Sequence, residues 1–193
     1  MKTSIILALS ILLATGVAAQ DRYKIKKAHI EYITETMGMS IKSTLDFDDY
    51  GKKQAVVTVI DMMGFKKTNK MLTINNYMYI LDMEAKSGVK SPTDNQEDIS
   101  AIDFANIPQE MKDEYKIVDL GTETVADKKC QVFSMENEGA KSKLWVWKNI
   151  PLKSEVEKDQ MTVSMAAKKI EINPDFDTDT FEVPKDFTIT DMD

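Results

Sequence analysis

The chain of 193 residues holds one cysteine, Cys130, one histidine, His29, and one arginine, Arg22. A lone cysteine excludes an intramolecular disulfide, so burial and backbone hydrogen bonding alone are expected to hold the core. It also leaves Cys130 and His29 as the one nucleophile–base pair open to thiol chemistry, and folding would have to bring them together. Gly-x-Ser-x-Gly, His-Glu-x-x-His, Cys-x-x-Cys and a glycine-rich phosphate loop are all missing, so the common signatures of hydrolase, metalloprotease, redox and nucleotide chemistry fail. Positive charge is the scarcer sign, with 25 Lys and Arg against 32 Asp and Glu, a net charge of -7. Nucleic-acid affinity rests on clustered positive charge, so these dispersed lysines exclude nucleic acid as an expected partner.

Long apolar runs are also lacking. The stretch from Ile5 to Ala14 falls short of the roughly 20 residues that span a bilayer as a helix, and nothing later is longer. It follows Lys2 and runs into Val17-Ala18-Ala19, the charged, apolar and small-residue regions of a cleavable signal peptide. Residues 1–19 are read as that signal, with cleavage near Ala19 and Gln20. The mature protein is then expected in the periplasm or outside the cell, with no transmembrane segment. No lipid anchor is expected, because Ala19 and Gln20 stand where a lipoprotein would carry its acylated cysteine. Residues 20–193 have the length of one domain.

What is present alternates. Met39, Ile41, Leu45 and Phe47 interleave with Ser40, Lys42, Thr44 and Asp46, the period of a half-buried strand. The turn signal Asp48-Asp49-Tyr50-Gly51 and the β-branched run Val56–Ile60 make this a hairpin. Met71–Ile74 and Tyr77–Leu81 flank Asn75-Asn76, a pair that tolerates the left-handed backbone of a tight turn. Ala28, Ile30 and Tyr32 add a strand upstream. Residues 84–98 turn polar, with Gly88 and Pro92, and are expected to be a mobile connection; residues 99–115, around Pro108, suit short helices. A second meander follows: Ile117–Leu120, Cys130–Met135, Leu144–Trp147, Leu152–Val156 and Met161–Ile172, with turns at Glu138-Gly139, Asn149-Ile150-Pro151 and Lys158-Asp159. The expected fold is mainly β with short helices, a curved antiparallel sheet with a helical insert as lid.

The carboxyl end, Asn173-Pro174-Asp175-Phe176 through Phe181-Glu182-Val183-Pro184 to Phe187, resembles the closing signature of the outer-membrane lipoprotein carrier (LolA-like) superfamily, an Asn or Asp turn and a Phe-x-x-Pro step. Ala126-Asp127-Lys128-Lys129-Cys130, Lys143-Leu144-Trp145-Val146-Trp147 and Ile150-Pro151-Leu152-Lys153-Ser154-Glu155 follow the same order. That order closely resembles a branch of LolA-like secreted proteins, common in Bacteroidetes-type bacteria, whose function is unassigned. The resemblance implies a half-barrel whose apolar concave face holds acyl chains. Here Met39, Ile41, Leu45 and Phe47 with Met161, Val163 and Met165 would line it. The carriers latch their lid with an arginine on the sheet; the one arginine here, Arg22, lies just past the cleavage site. A general apolar-ligand role therefore fits better than lipoprotein shuttling by that latch.

Other residues invite chemistry. Of thirteen methionines, Met37 and Met39 stand two apart and Met62-Met63 are adjacent, so thioether copper(I) binding, with His29, is one reading. Flexible methionines filling an apolar core are the simpler one, since adjacent strand residues point to opposite faces. Trp145 and Trp147 share one strand face and form a candidate platform for a sugar or lipid headgroup, or a cover for the sheet. Asp46-Phe47-Asp48-Asp49 and Asp175-Phe176-Asp177-Thr178-Asp179 invite a carboxylate-pair or calcium reading, but solvated turns account for both.

The sequence thus reads as an exported, non-enzymatic, monomeric protein without a cofactor. Its partner is expected to be a lipid or other apolar molecule bound by Met39, Ile41, Leu45, Phe47, Trp145, Trp147, Met161, Val163 and Met165, in a role in envelope lipid or lipoprotein handling. The alternative is a structural or protein-interaction module of the envelope with a self-filled core.

Overall fold

A computed structural model describes residues 21–62, 64–93, 102–137 and 139–192. The signal-peptide segment 1–19, residue 20, Met63 of the methionine pair, Glu138 of one expected turn and most of the second half of the polar connection lie outside these residues. Among the described residues twelve strands form one sheet: β1 (Ala28–Thr36), β2 (Met39–Asp48), β3 (Lys53–Met62), β4 (Phe65–Ile74), β5 (Tyr77–Asp82), β6 (Ser87–Pro92), β7 (Val118–Val125), β8 (Lys128–Asn137), β9 (Ala140–Trp147), β10 (Ile150–Lys158), β11 (Met161–Ile172) and β12 (Thr188–Asp191). Their order in the sheet is β12-β6-β5-β4-β3-β2-β1-β11-β10-β9-β8-β7. The chain is mainly β, as the alternation required, and among the described residues one α-helix, α1 (Gln109–Glu114), accompanies the sheet. No helix among the described residues is long and apolar enough to cross a membrane.

Tight turns make the meander. Asn75 and Asn76 take φ values of 50° and 65°, and the pairs Ala126-Asp127, Lys148-Asn149 and Asp159-Gln160 do the same. Two successive positive φ values match the twist of the strands they join, which is why such two-residue loops dominate hairpins. The turn expected at Asn149-Ile150-Pro151 therefore sits one residue earlier, and Ile150 and Pro151 begin β10. Pro151 is accommodated because the β9–β10 register shifts between Pro151 and Lys153, the kind of irregularity to which strand prolines are confined.

Two further differences from the sequence reading have physical causes. Residues 87–92, expected in a mobile connection, form β6, antiparallel to β5 on one side and parallel to β12 on the other. Ser87-Gly88-Val89-Lys90-Ser91-Pro92 has no alternation to announce a strand, so pairing from both sides decides its state. Gly88 permits this: a Cβ there would meet Leu81 Cδ2 at 2.6 Å and the Ile80 carbonyl at 2.7 Å. In the region read as short helices, residues 102–108 are not helical, and among the described residues of that region only α1 is.

The chain divides into two compact units, residues 1–29, 43–102 and 171–193 in the first and 30–42 and 103–170 in the second. In the first, Ala55, Leu72 and Leu81 are buried, and Tyr79, Met83, Phe181, Val183, Phe187 and Ile189 pack against them. The carboxyl-terminal segment thus supplies its own apolar side chains to cover these strands. It is tethered by Lys86 to Asp186 at 2.7 Å, Lys27 to Asp175 at 3.8 Å, and Lys70 Nζ donating to the Asp179 carbonyl at 3.4 Å. Elsewhere in the same unit Tyr23 stacks on Phe47 at 4.2 Å and donates from its hydroxyl to Gln54 Oε1 at 3.0 Å.

In the second unit, β7 to β11 form a continuous antiparallel ladder. Leu144, Trp145 and Val146 are all buried on β9, so both faces of this strand are covered.

Candidate functional site

The register of the second unit sorts its side chains onto two faces. Phe133 lies opposite Leu144, Leu144 opposite Ser154, and Ser154 opposite Met165. These four form one row across β8, β9, β10 and β11. The adjacent row runs Met135, Ser142, Val156, Val163 through the same pairings. Directly opposite residues share a face, so an apolar wall crosses four strands. Phe133, Leu144, Val163 and Met165 are all buried, and each such side chain removed from water contributes about 1.5–3 kcal/mol. Phe104 lies on the β8 end of the wall, its ring 5.3 Å from that of Phe133, with its N–H donating to Asn149 Oδ1 at 2.9 Å. Two serines interrupt the wall, Ser142, which is half-buried, and Ser154, which is 1 % exposed and whose Oγ has no hydrogen-bond partner among the described residues.

The opposite face of the same strands is electrostatic. Val132 pairs with Trp145, and Trp145 with Lys153. The Trp145 indole N–H donates to Glu123 Oε2 at 2.7 Å, while Lys143 Nζ stands 4.5 Å and Lys153 Nζ 4.0 Å from its ring centroid. Lys143 also reaches Glu123 Oε1 at 3.2 Å, and Lys153 reaches Glu155 at 2.7 Å. The Glu123 carboxyl is held below its ordinary range, first by the indole N–H and then by Lys143. Lysine stems laid on an aromatic ring keep their ammonium groups in water while covering the ring.

The nine residues expected to bind a ligand therefore fall into separate groups. Val163 and Met165 join the apolar wall, with Met161 half-buried at the start of their strand. Trp145 and Trp147 do not share that face; side chains alternate along β9, and Leu144 and Val146 take the wall side. Trp145, at 2 % exposure, is no open platform. Trp147 is half-buried with Lys128 Nζ 5.3 Å from its ring. Leu45 and Phe47 are fully buried in the first unit, Phe47 beneath Tyr23. Ile41 is buried and Met39 half-buried on the part of β2 that belongs to the second unit. Met39 also lines an open depression of about 390 Å³ beside the β1–β2 turn, with Glu35, Thr36, Met37, Thr162 and Ser164.

The remaining candidates find ordinary partners. His29 Nδ1 lies 2.5 Å from Asp46 Oδ1. Cys130 is buried, its Sγ donates to the Lys128 carbonyl at 3.5 Å, and burial pushes the thiol up, away from the reactive thiolate. Met37 is 69 % exposed at the β1–β2 turn, at the far end of β1 from His29. Asp48 accepts from the Asp49 N–H at 2.8 Å, a local turn bond. No group of three or more His, Cys, Asp or Glu able to hold a metal ion occurs among the described residues.

Ser154 was invisible to sequence reasoning as a site residue. Its only signal is a serine in register with apolar residues of the neighbouring strands, and that register is a tertiary fact.

No family model matches the chain, and no curated protein matches it in sequence. Among solved structures it is similar to an uncharacterised conserved protein from Thermus thermophilus, at TM-score 0.62 and 11% identity, over 96% of this chain and 99% of that one. It is also similar to MucB in a complex with MucA(peri), at TM-score 0.57 and 12% identity, over 90% of this chain and 59% of that one. The MucA/MucB complex of Pseudomonas aeruginosa gives TM-score 0.57 and 11% identity, over 90% of this chain and 60% of that one. The chain thus spans about three fifths of the MucB length. At these identities the likeness is one of fold, and that fold is the mainly β class the sequence implied.

Proposed function

We propose that this protein is an exported, non-enzymatic component of the cell envelope that holds a lipid or other apolar ligand against the wall formed by β8 to β11. The observation that carries the reading is the asymmetry of those strands. One face is apolar across two cross-strand rows, with Leu144, Val163 and Met165 at its centre, while the other is sealed by Trp145 under Lys143 and Lys153. Leu144, Val163 and Met165 are already covered, so an acyl chain would take the place of that cover, with about 25 cal/mol per Å² of apolar surface kept from water. The LolA-like resemblance of the sequence supports the same reading and favours a role in lipid or lipoprotein handling.

The test is native mass spectrometry of the mature protein purified without detergent, followed by organic extraction and lipid analysis. A stoichiometric acyl-containing species is the expected result. A bare protein mass that added lipid leaves unchanged would sink the proposal.

A second reading, a module that docks a protein partner, is favoured by β7. This strand ends the sheet order, and Val118 and Leu120 on it are 53% and 51% exposed. An edge strand with free backbone groups is a template for an added strand. MucB, which shares the fold, is a protein solved with a protein partner.

A further inference from the structure

The Ser154 hydroxyl has no hydrogen-bond partner among the described residues, and it and its apolar neighbours are covered, so a ligand reaches it by displacing that cover. Its cross-strand neighbours are Leu144 and Met165, and Val156 follows two residues along β10. A buried hydroxyl without a partner is costly, and alanine at the same place would carry no such cost. The rows around it, Phe133 to Met165 and Met135 to Val163, contain no lysine, arginine or histidine.

We infer that Ser154 is the polar anchor of the apolar-ligand site, its hydroxyl donating to the neutral carbonyl oxygen of an acyl ester or amide whose hydrocarbon chain lies along Leu144, Val163 and Met165. The inference rests on the apolar-ligand reading and names the ligand group that reading leaves open. The absence of a cation from these rows decides the class: a carboxylate would be buried without a counter-charge, whereas a neutral carbonyl needs only a hydroxyl donor such as Ser154. Met165, unbranched and polarizable, suits a wall that must fit chains of differing shape. The carbonyl could belong to an acyl ester or to an acylated amine, and both offer the same acceptor.

The experiment compares the mature wild-type protein with Ser154→Ala in displacement of an apolar fluorescent probe by three compounds of matched length: methyl decanoate, decanoate and decane. Wild type is expected to bind the ester about three- to tenfold more tightly than the hydrocarbon, the range of a single net hydrogen bond. Ser154→Ala should lose that preference, keep its affinity for decane, and unfold at a temperature no lower than wild type. Equal binding of ester and decane by wild type, or a preference that survives in Ser154→Ala, overturns the anchor and leaves the apolar wall standing. Tightest binding of decanoate overturns the neutral-carbonyl class. Failure of all three compounds to bind wild type removes the underlying reading, and the anchor with it.

Discussion

The indole N–H of Trp145 donates to Glu123 across two strands at 2.7 Å, and Lys143 and Lys153 stand within 4.5 Å of the same ring. One tryptophan thereby organises the charged face of β7 to β10 and seals the side of the sheet opposite the apolar wall.

This arrangement has a pH signature. The indole N–H and Lys143 lower the folded-state pKa of Glu123 below its ordinary value of 4.5. A depressed carboxyl contributes stability that is fully present above the unfolded pKa and is lost as pH falls through the folded one. Thermal unfolding of wild type and Glu123→Gln across pH 3 to 7 should show wild type the more stable above pH about 5, with the gap closing as pH falls below 4. A gap independent of pH would mean that the carboxylate charge plays no part.

Gly51 has φ of +94°, and a Cβ there would come within 2.8 Å of the Tyr23 ring. Gly51→Ala must therefore pay for both a left-handed backbone and a displaced aromatic, about 1–3 kcal/mol together. Urea unfolding should show that loss. Wild-type stability in the variant would mean that Tyr23 moves freely off Phe47.

The carboxyl-terminal segment is expected to be a structural part of the first unit. Phe181 and Phe187 pack against Ala55, Leu72 and Leu81, so Phe181→Ala or Phe187→Ala should each cost roughly 2–3 kcal/mol in chemical denaturation, less than a fully buried phenylalanine because both are partly exposed. The exposed neighbour Glu182 serves as the control; Glu182→Ala should change stability by about 0.5 kcal/mol or less. Equal effects at all three positions would show that the segment is not anchored by its apolar side chains.

Cys130 should resist alkylation. It is fully buried on β8, and burial raises its thiol pKa. Iodoacetamide at pH 8 is expected to leave the folded protein at its unmodified mass and to add one adduct after denaturation. Rapid labelling of the folded protein would show that β8 opens on the timescale of the reaction.

The legible part of this fold was the part written in short periods. Met39 to Phe47 alternates and is β2, Asn75-Asn76 carries the left-handed turn its residues allow, and Ala28, Ile30 and Tyr32 are the buried positions of β1. β6 carried no such period, and its state was set by β5 and β12 pairing on either side. The candidate site was legible in composition and not in arrangement. Val163 and Met165 belong to the wall, but Trp145 and Trp147 alternate onto the opposite face, and Leu45 and Phe47 are packed in the first unit.

The sequence alone determined that the chain forms no intramolecular disulfide and, for strands that alternate as β2 does, which residues share a face, because these follow from composition and from a two-residue repeat. Only the tertiary structure decided which strand faces meet. Register across the successive hairpins of β9, β10 and β11 set Ser154 between Leu144 and Met165 and laid two lysines over Trp145, and that register includes a shift between Pro151 and Lys153 that no two-residue period announces.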